Sequence, residues 1–239
     1  MRVFNSLEGQ PNLHGSRPEE DFRKMISRQQ RYRIASLLVL LSLLVIAVPA
    51  IRQSILQAAG RALVVNEHAS SADIIVISGE ADGAGELEAS DLIHSGVATT
   101  VAVFAYAPDE IQNEFVRRGA PYEDSATRSI RRLKALGVEN IVLIPGYVRG
   151  TQNEGPLLTR WCDQQRFRSI IVVSVPDHTR RLRRVLRRNF QGHRTLVVVC
   201  SARHAVFDPD RWWKSRDGIR TEIGESEKLF LDIVLHPFS

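Results

Sequence analysis

Cysteine is almost missing: Cys162 and Cys200 are the only two in 239 residues. No disulfide framework can hold this chain, so its stability must come from a buried apolar core. One thiol falls on a predicted helix and the other at a strand end. The two could pair in an oxidising compartment or remain buried free thiols, and we take the second reading. Other absences are equally informative. Without His-Glu-x-x-His or Cys-x-x-Cys there is no dedicated zinc site. Without Gly-x-Ser-x-Gly, Ser78 and Ser174 lack the strained turn of a hydrolase nucleophile. Neither a Walker A loop nor a full Gly-x-Gly-x-x-Gly fingerprint occurs. Zinc-finger spacing, heptads and aromatic-rich basic repeats are lacking too, so no nucleic-acid partner is expected. There is no internal repeat and no low-complexity tract.

What is present is ordinary globular material, 44% apolar and 25% charged. The length allows one domain of about 150 to 200 residues with an appendage. The balance of 32 basic to 27 acidic residues, net +5, favours anions. Much of the excess sits in the N-terminal tail and in one helix near residue 180.

The appendage reads as a membrane segment. "IASLLVLLSLLVIAVPAI", Ile34 to Ile51, has 18 residues and no charge, the minimum that crosses a bilayer as a helix. Arg28, Arg31 and Arg33 precede it, which holds residues 1–33 in the cytoplasm and exports the chain beyond Ile51. A cleavable signal peptide is the alternative, since small residues end the run at Ala50. A 33-residue polar tail is long for a signal peptide, so we read an uncleaved anchor at 34–51, a linker at 52–71 and an exported domain at 72–239.

Within that domain apolar runs alternate with helical patterns. Asp73–Ser78, Thr100–Ala105, Asn140–Pro145, Ser169–Val175 and Thr195–Cys200 are strand-length and apolar at nearly every position, as strands covered on both faces must be. Helices are predicted at Gly85–Ser95, Asp109–Leu136 with a break at "RRGAPYED", Asn153–Arg166, Asp177–Phe190 and Glu222–Leu235. The alternation predicts an α/β fold: a three-layer, Rossmann-like domain on a mainly parallel sheet of about five strands.

Ligands of open parallel sheets bind beyond the carboxyl ends of the strands, which directs attention to the residues after each strand. The first such loop, "SGEADGAGELE", offers Gly79, Gly83 and Gly85, which let backbone amides approach a ligand. It also carries Glu80, Asp82, Glu86 and Glu88, which repel a bare phosphate unless a divalent cation intervenes. The fourth, "SVPDHTRR", opens a helix at Pro176. At 100° per residue, Leu182, Val185, Leu186 and Phe190 occupy an arc of about 140° that also holds His178. Arg180, Arg183, Arg184 and Arg187 take the opposite side, and Arg188 lies towards the edge. Arg181 borders the apolar face one turn from His178, where the sheet has ended. An arginine there would clamp a carboxylate or phosphate, and a histidine beside it would exchange protons near neutral pH. Trp212 and Trp213 read as a hydrophobic lid before the closing helix.

Five stretches in order, "IIVISGE", "ASDLIHSG", "GTQNE", "VVSVPDHTRRL" and "RTEIGESEKL", resemble the bacterial SanA/ElyC/YdcF family. The likeness runs from Asp73 to about Leu235. Carried over by position, it implies a catalytic role for His178 and Glu154. It implies ligand binding by Ser78, Gly79, Thr151, Asn153, Ser174, Arg181, Glu222 and Lys228. Two departures stand out: Glu80 and Asp82 interrupt the family's glycine run, and Glu86 stands where many members place an arginine. The resemblance implies a single-span protein of the inner membrane with a doubly wound domain. Membrane-anchored relatives are associated with peptidoglycan assembly and the polyprenyl carrier, and a soluble one with nucleotide-like ligands such as S-adenosylmethionine.

The expected function is therefore binding or processing of an anionic, phosphorylated envelope or polysaccharide precursor. The alternatives are a scaffold whose outer arginines hold acidic lipids or partners, and a nucleotide or S-adenosylmethionine binder. A topology reporter fused after Ser239 is expected to register an extracytoplasmic carboxyl terminus. A cytoplasmic signal overturns export and promotes the nucleotide reading.

Overall fold

The computed structural model describes residues 18–121 and 123–238. The chain divides into two compact units, Met1–Ser54 and Ile55–Ser239. The first holds α1, Pro18–Ala47; α2, Pro49–Ala62, begins after a break at Val48 and includes the boundary at Ser54. The continuous helix expected over Ile34–Ile51 is thus divided. Proline has no amide proton and its ring clashes with the carbonyl four residues back, so Pro49 starts a helix instead of prolonging one. Among the described residues no helix is long and apolar enough to cross a membrane. The expected cytoplasmic tail before Pro18 lies outside the described residues.

The second unit is α/β. Strands β1 (Ile74–Ile77), β2 (Val101–Tyr106), β3 (Ile141–Val148), β4 (Ser169–Ser174) and β5 (Leu196–Ser201) form one sheet in the order β3-β2-β1-β4-β5. All four pairings are parallel. Between the strands lie α3 (Asp82–His94), α4 (Glu110–Arg117), α5 (Ser125–Ala135), α6 (Thr151–Gln165) and α7 (Pro176–Asn189), and α8 (Arg216–Leu235) closes the chain. Alternate residues of one strand feed two cores. Ile170 and Val172 join Leu158 and Trp161 of α6 and Leu182 and Leu186 of α7. Ile171 and Val173 join Ala89 of α3 and Leu133 of α5. The five-strand, three-layer expectation holds because strands buried on both faces can be apolar throughout.

Three details differ from expectation. β3 continues past Pro145 to Val148, and the register slips where Phe104 faces Ile144 but Ala105 faces Tyr147. Gly146, at φ +107°, and the edge position of β3 accommodate that bulge. α8 starts six residues before Glu222, at Arg216, because the Ser215 side chain caps the amide of Gly218 at 2.9 Å. The stretch read as a linker is partly packed: Leu63 is buried with Phe207 and Leu229, and the Glu67 amide donates to the Val199 carbonyl at 2.8 Å. As expected, Cys162 and Cys200 are free and buried. They lie in the two different cores, with the sheet between them. Burial pushes their thiols up to about 12 and about 11, so neither is a ready nucleophile.

Leu186 is fully buried, whereas Leu235 is 69% exposed. In urea denaturation Leu186→Ala is expected to cost about 2 to 5 kcal/mol and Leu235→Ala less than about 0.5 kcal/mol.

Candidate functional site

The sheet changes winding direction after β3, and α6 carries the chain across to β4 on the other side of β1. Neighbouring loops leave β1 and β4 in opposite directions there, so a crevice opens beyond their carboxyl ends. Its floor is polar. The Ser78 hydroxyl, just past β1, donates to Ser174 Oγ at the end of β4 at 2.7 Å, and both are buried. The Gly79 amide donates to Glu154 Oε1 at 2.5 Å. Glu154 projects from the first turn of α6, a helix preceded by Gly150 at φ +141°, which a side chain would strain.

Glu154 is the least settled group in the crevice. It is 1% exposed, and its second oxygen, Oε2, has no partner among the described residues. Burial raises its pKa and Glu80 adds to the rise, while the Gly79 amide, His178 and the Tyr106 hydroxyl pull the other way. The net shift is upward, towards the range in which a carboxyl can both give and take a proton. Tyr106 ends β2 beyond the bulge and reaches Glu154 Oε1 at 3.4 Å. Its phenol is raised by burial and by the charges of Glu154 and Glu80, so it stays protonated as a donor. A β-carbon on Gly79 would coincide with that hydroxyl. Glycine is therefore required where backbone and Tyr106 cross. Gly85 serves packing instead, its α-carbon lying so near Ile77 that a β-carbon would sit 2.7 Å from Cγ2.

His178 stands on the first turn of α7 and is 1% exposed. Its Nε2 lies 3.2 Å from Thr151 Oγ1. On the other side, Nδ1 is 2.9 Å from an Arg181 guanidinium nitrogen and 3.3 Å from Glu225 Oε2. An arginine can only donate, so that contact needs an unprotonated Nδ1 and a hydrogen on Nε2 facing Thr151. The other neutral tautomer, with its hydrogen on Nδ1, donates to Glu225 Oε2 and leaves Nε2 to accept from the Thr151 hydroxyl. The ring thus has two hydrogen-bonding arrangements, and Thr151 senses which is present. Arg181 also donates to Glu225 Oε2 at 3.1 Å, and Lys228 donates to Oε1 at 2.6 Å. Burial alone would raise Glu225, but the hydrogen bonds from His178 and Lys228 and the charge of Arg181 outweigh it and hold the carboxyl down to about 2.

The ground that was expected to lie beyond the core is covered by α8, and a clamp by Arg181 would have to break its bond to Glu225. The other arginines of α7 are also largely engaged. Arg180 binds the carbonyls of Ala62 and Val64, and Arg183 binds Glu67 at 2.8 Å. Arg184 and Arg188 converge on Asp232, each at 2.7 Å. Arg187 alone of the six is exposed without a side-chain pair among the described residues. Three of the four arginines on which the scaffold reading rested thus face internal acceptors. The acidic first loop resolves similarly. Because α3 starts at Asp82, Glu86 and Glu88 lie on the helix. Asp82 pairs with Arg132 at 2.7 Å, Glu86 accepts from Ser129 at 2.7 Å, and Glu88 pairs with Arg203 at 2.9 Å.

Of the remaining expected residues, Asn153 is exposed on α6. Glu222 is buried on α8, its Oε1 taking a bond from Ser226 at 3.2 Å. Burial raises it, and the charge of Asp177 adds to that. No group of three or more histidines, cysteines or carboxylates among the described residues is arranged to hold a metal ion. Sequence reasoning missed Tyr106 and Glu225. Tyr106 lies past a bulge that no pattern announces, whereas Glu225 stood inside "RTEIGESEKL", one turn from Glu222 and three residues before Lys228, so helical phasing could have found it. Comparison with family models, curated proteins and solved structures returns no match to this chain.

A carboxyl held below its usual 4.5 contributes stability that is complete above that value and lost as pH falls towards about 2. The component at Glu225 is on the order of 3 kcal/mol. Urea midpoints measured from pH 6 down to 2 are expected to fall less steeply in Glu225→Gln, which lacks this component, than in the unaltered chain.

Proposed function

We propose that this is a membrane-anchored α/β protein whose switch-point crevice binds and processes an anionic, phosphorylated precursor of the cell envelope. The observation that carries the reading is Glu154: a buried carboxyl with a raised pKa, one oxygen fixed by the Gly79 amide and the other without a partner among the described residues, beyond the strand ends where α/β sheets take ligands. In this reading Glu154 exchanges a proton with the precursor. Thr151 and the Nε2–H of His178 align an oxygen beside it, and Arg181, by donating to Nδ1, selects that tautomer. Ser78 and Ser174 keep the floor polar, while Glu222 and Lys228 flank the α8 side. The class of precursor and the inner-membrane location are supported by the basic flank of the apolar run and by the resemblance to the SanA/ElyC/YdcF family.

General acid–base groups typically contribute about 10²- to 10⁴-fold to rate. Full-length protein in detergent, assayed with phosphorylated envelope precursors with and without Mg²⁺, is expected to turn over at least one. Glu154→Gln should lower that rate about 100-fold or more. Unchanged turnover in Glu154→Gln would overturn the role of the carboxyl, and no turnover by the unaltered chain would overturn the catalytic half of the reading.

A further inference from the structure

We propose that the anion is held by Arg128, with the hydroxyls of Ser125 and Tyr106 as its partners, in the cleft between the carboxyl ends of β1 and β2 and the start of α5. The inference deepens the reading of the crevice as an anion site and rests on it. The cleft has a volume of about 200 Å³ and is lined by Ser78, Gly79, Tyr106, Ser125 and Arg128 among others. Pockets that enclose a drug-sized ligand measure roughly 300 to 1,000 Å³. This one therefore suits a phosphoryl group and little of what it is attached to, as in a phosphate monoester whose body stays outside.

Of the arginines beside this cleft, Arg128 is the one left without a side-chain partner among the described residues. Arg181 is engaged by Glu225, Arg132 by Asp82, Arg131 by Glu123 and Arg203 by Glu88. Arg128 is exposed, faces the cleft and makes no side-chain hydrogen bond or ion pair among the described residues. A guanidinium with its fork unoccupied is the group best shaped for two oxygens of a phosphate. Ser125 Oγ accepts from the Tyr106 amide at 3.3 Å, which leaves its O–H to donate. The Tyr106 hydroxyl holds Glu154 only loosely, at 3.4 Å, and can turn to an incoming oxygen. Of the nearby carboxylates, Glu80 is exposed, so solvent screens its charge, and the others are engaged or raised. Asp82 is neutralised by Arg132, and Asp124 caps the helix by accepting from the Thr127 amide at 2.7 Å. Glu154, raised by burial, gives up its charge more readily than an ordinary carboxylate. The two groups thereby divide the work: Arg128 takes the phosphoryl group and Glu154 the proton.

The test is titration calorimetry on full-length protein in detergent, with inorganic phosphate and, separately, with a short prenyl monophosphate in the same micelles. Arg128→Gln is expected to weaken both at least about 10-fold, Ser125→Ala about threefold, and Arg187→Gln neither. Thermal melting should be unchanged in Arg128→Gln because the side chain is exposed, so a lost affinity reads as a lost contact. Tighter binding of the prenyl ester than of inorganic phosphate, with the same loss in Arg128→Gln, supports the site and identifies a lipid-linked source. Equal affinities with that loss support it with a free phosphate as the source. The site is overturned if Arg128→Gln binds both ligands like the unaltered chain, or if the unaltered chain binds neither. Glu154→Gln is expected to keep phosphate affinity within about threefold, so failure of the proton-transfer role and failure of the anion site give different results.

Discussion

Parallel strands cannot be joined by tight turns, so every link in this sheet must travel back along one face before the next strand begins. The first two links move outwards from β1 through β2 to β3, and the third, through α6, returns across the sheet to β4. That reversal separates the loops leaving β1 and β4. The proton-transfer site depends on it, because Gly79 and His178 follow the two strands that part, and Glu154 belongs to the helix that makes the crossing.

Given that opening, α8 decides how polar the crevice is. It places Glu225 against α7, where one carboxylate receives His178, Arg181 and Lys228, and it places Asp232 where Arg184 and Arg188 meet. Buried ion pairs gain little over apolar packing, since desolvation offsets much of the attraction, but an unpaired partner left behind is costly. These contacts therefore fix the position of α8 more than they add stability. They also explain the arginine density of α7. A helix that must bind the linker carbonyls on one side and a helix on the other requires long donors in both directions.

Glu154 was legible as a candidate through "GTQNE", and its environment was not. Its raised pKa comes from burial under Tyr106 and beside Gly79, contributed by β2 and the loop after β1. Helical phasing of "PDHTRRLRRVLRRN" correctly placed His178, Leu182, Val185 and Leu186 on the inner face, all of them buried. It could not identify the partners of the outer arginines, which stand roughly 50 to 120 positions away in the chain. Arg128 belongs to no motif or loop that the strand order selects, and it gains interest only because its basic neighbours are paired.

The order of apolar runs and helical patterns determined a layered α/β domain, because backbone hydrogen bonding and burial on two faces act through residues close in sequence. Periodicity likewise determined which side of each helix is inside. The partners of the crevice's charges and the raised pKa of Glu154 were decided by tertiary structure alone. Electrostatic terms depend on distance and desolvation between groups remote in sequence, and a linear pattern carries neither quantity.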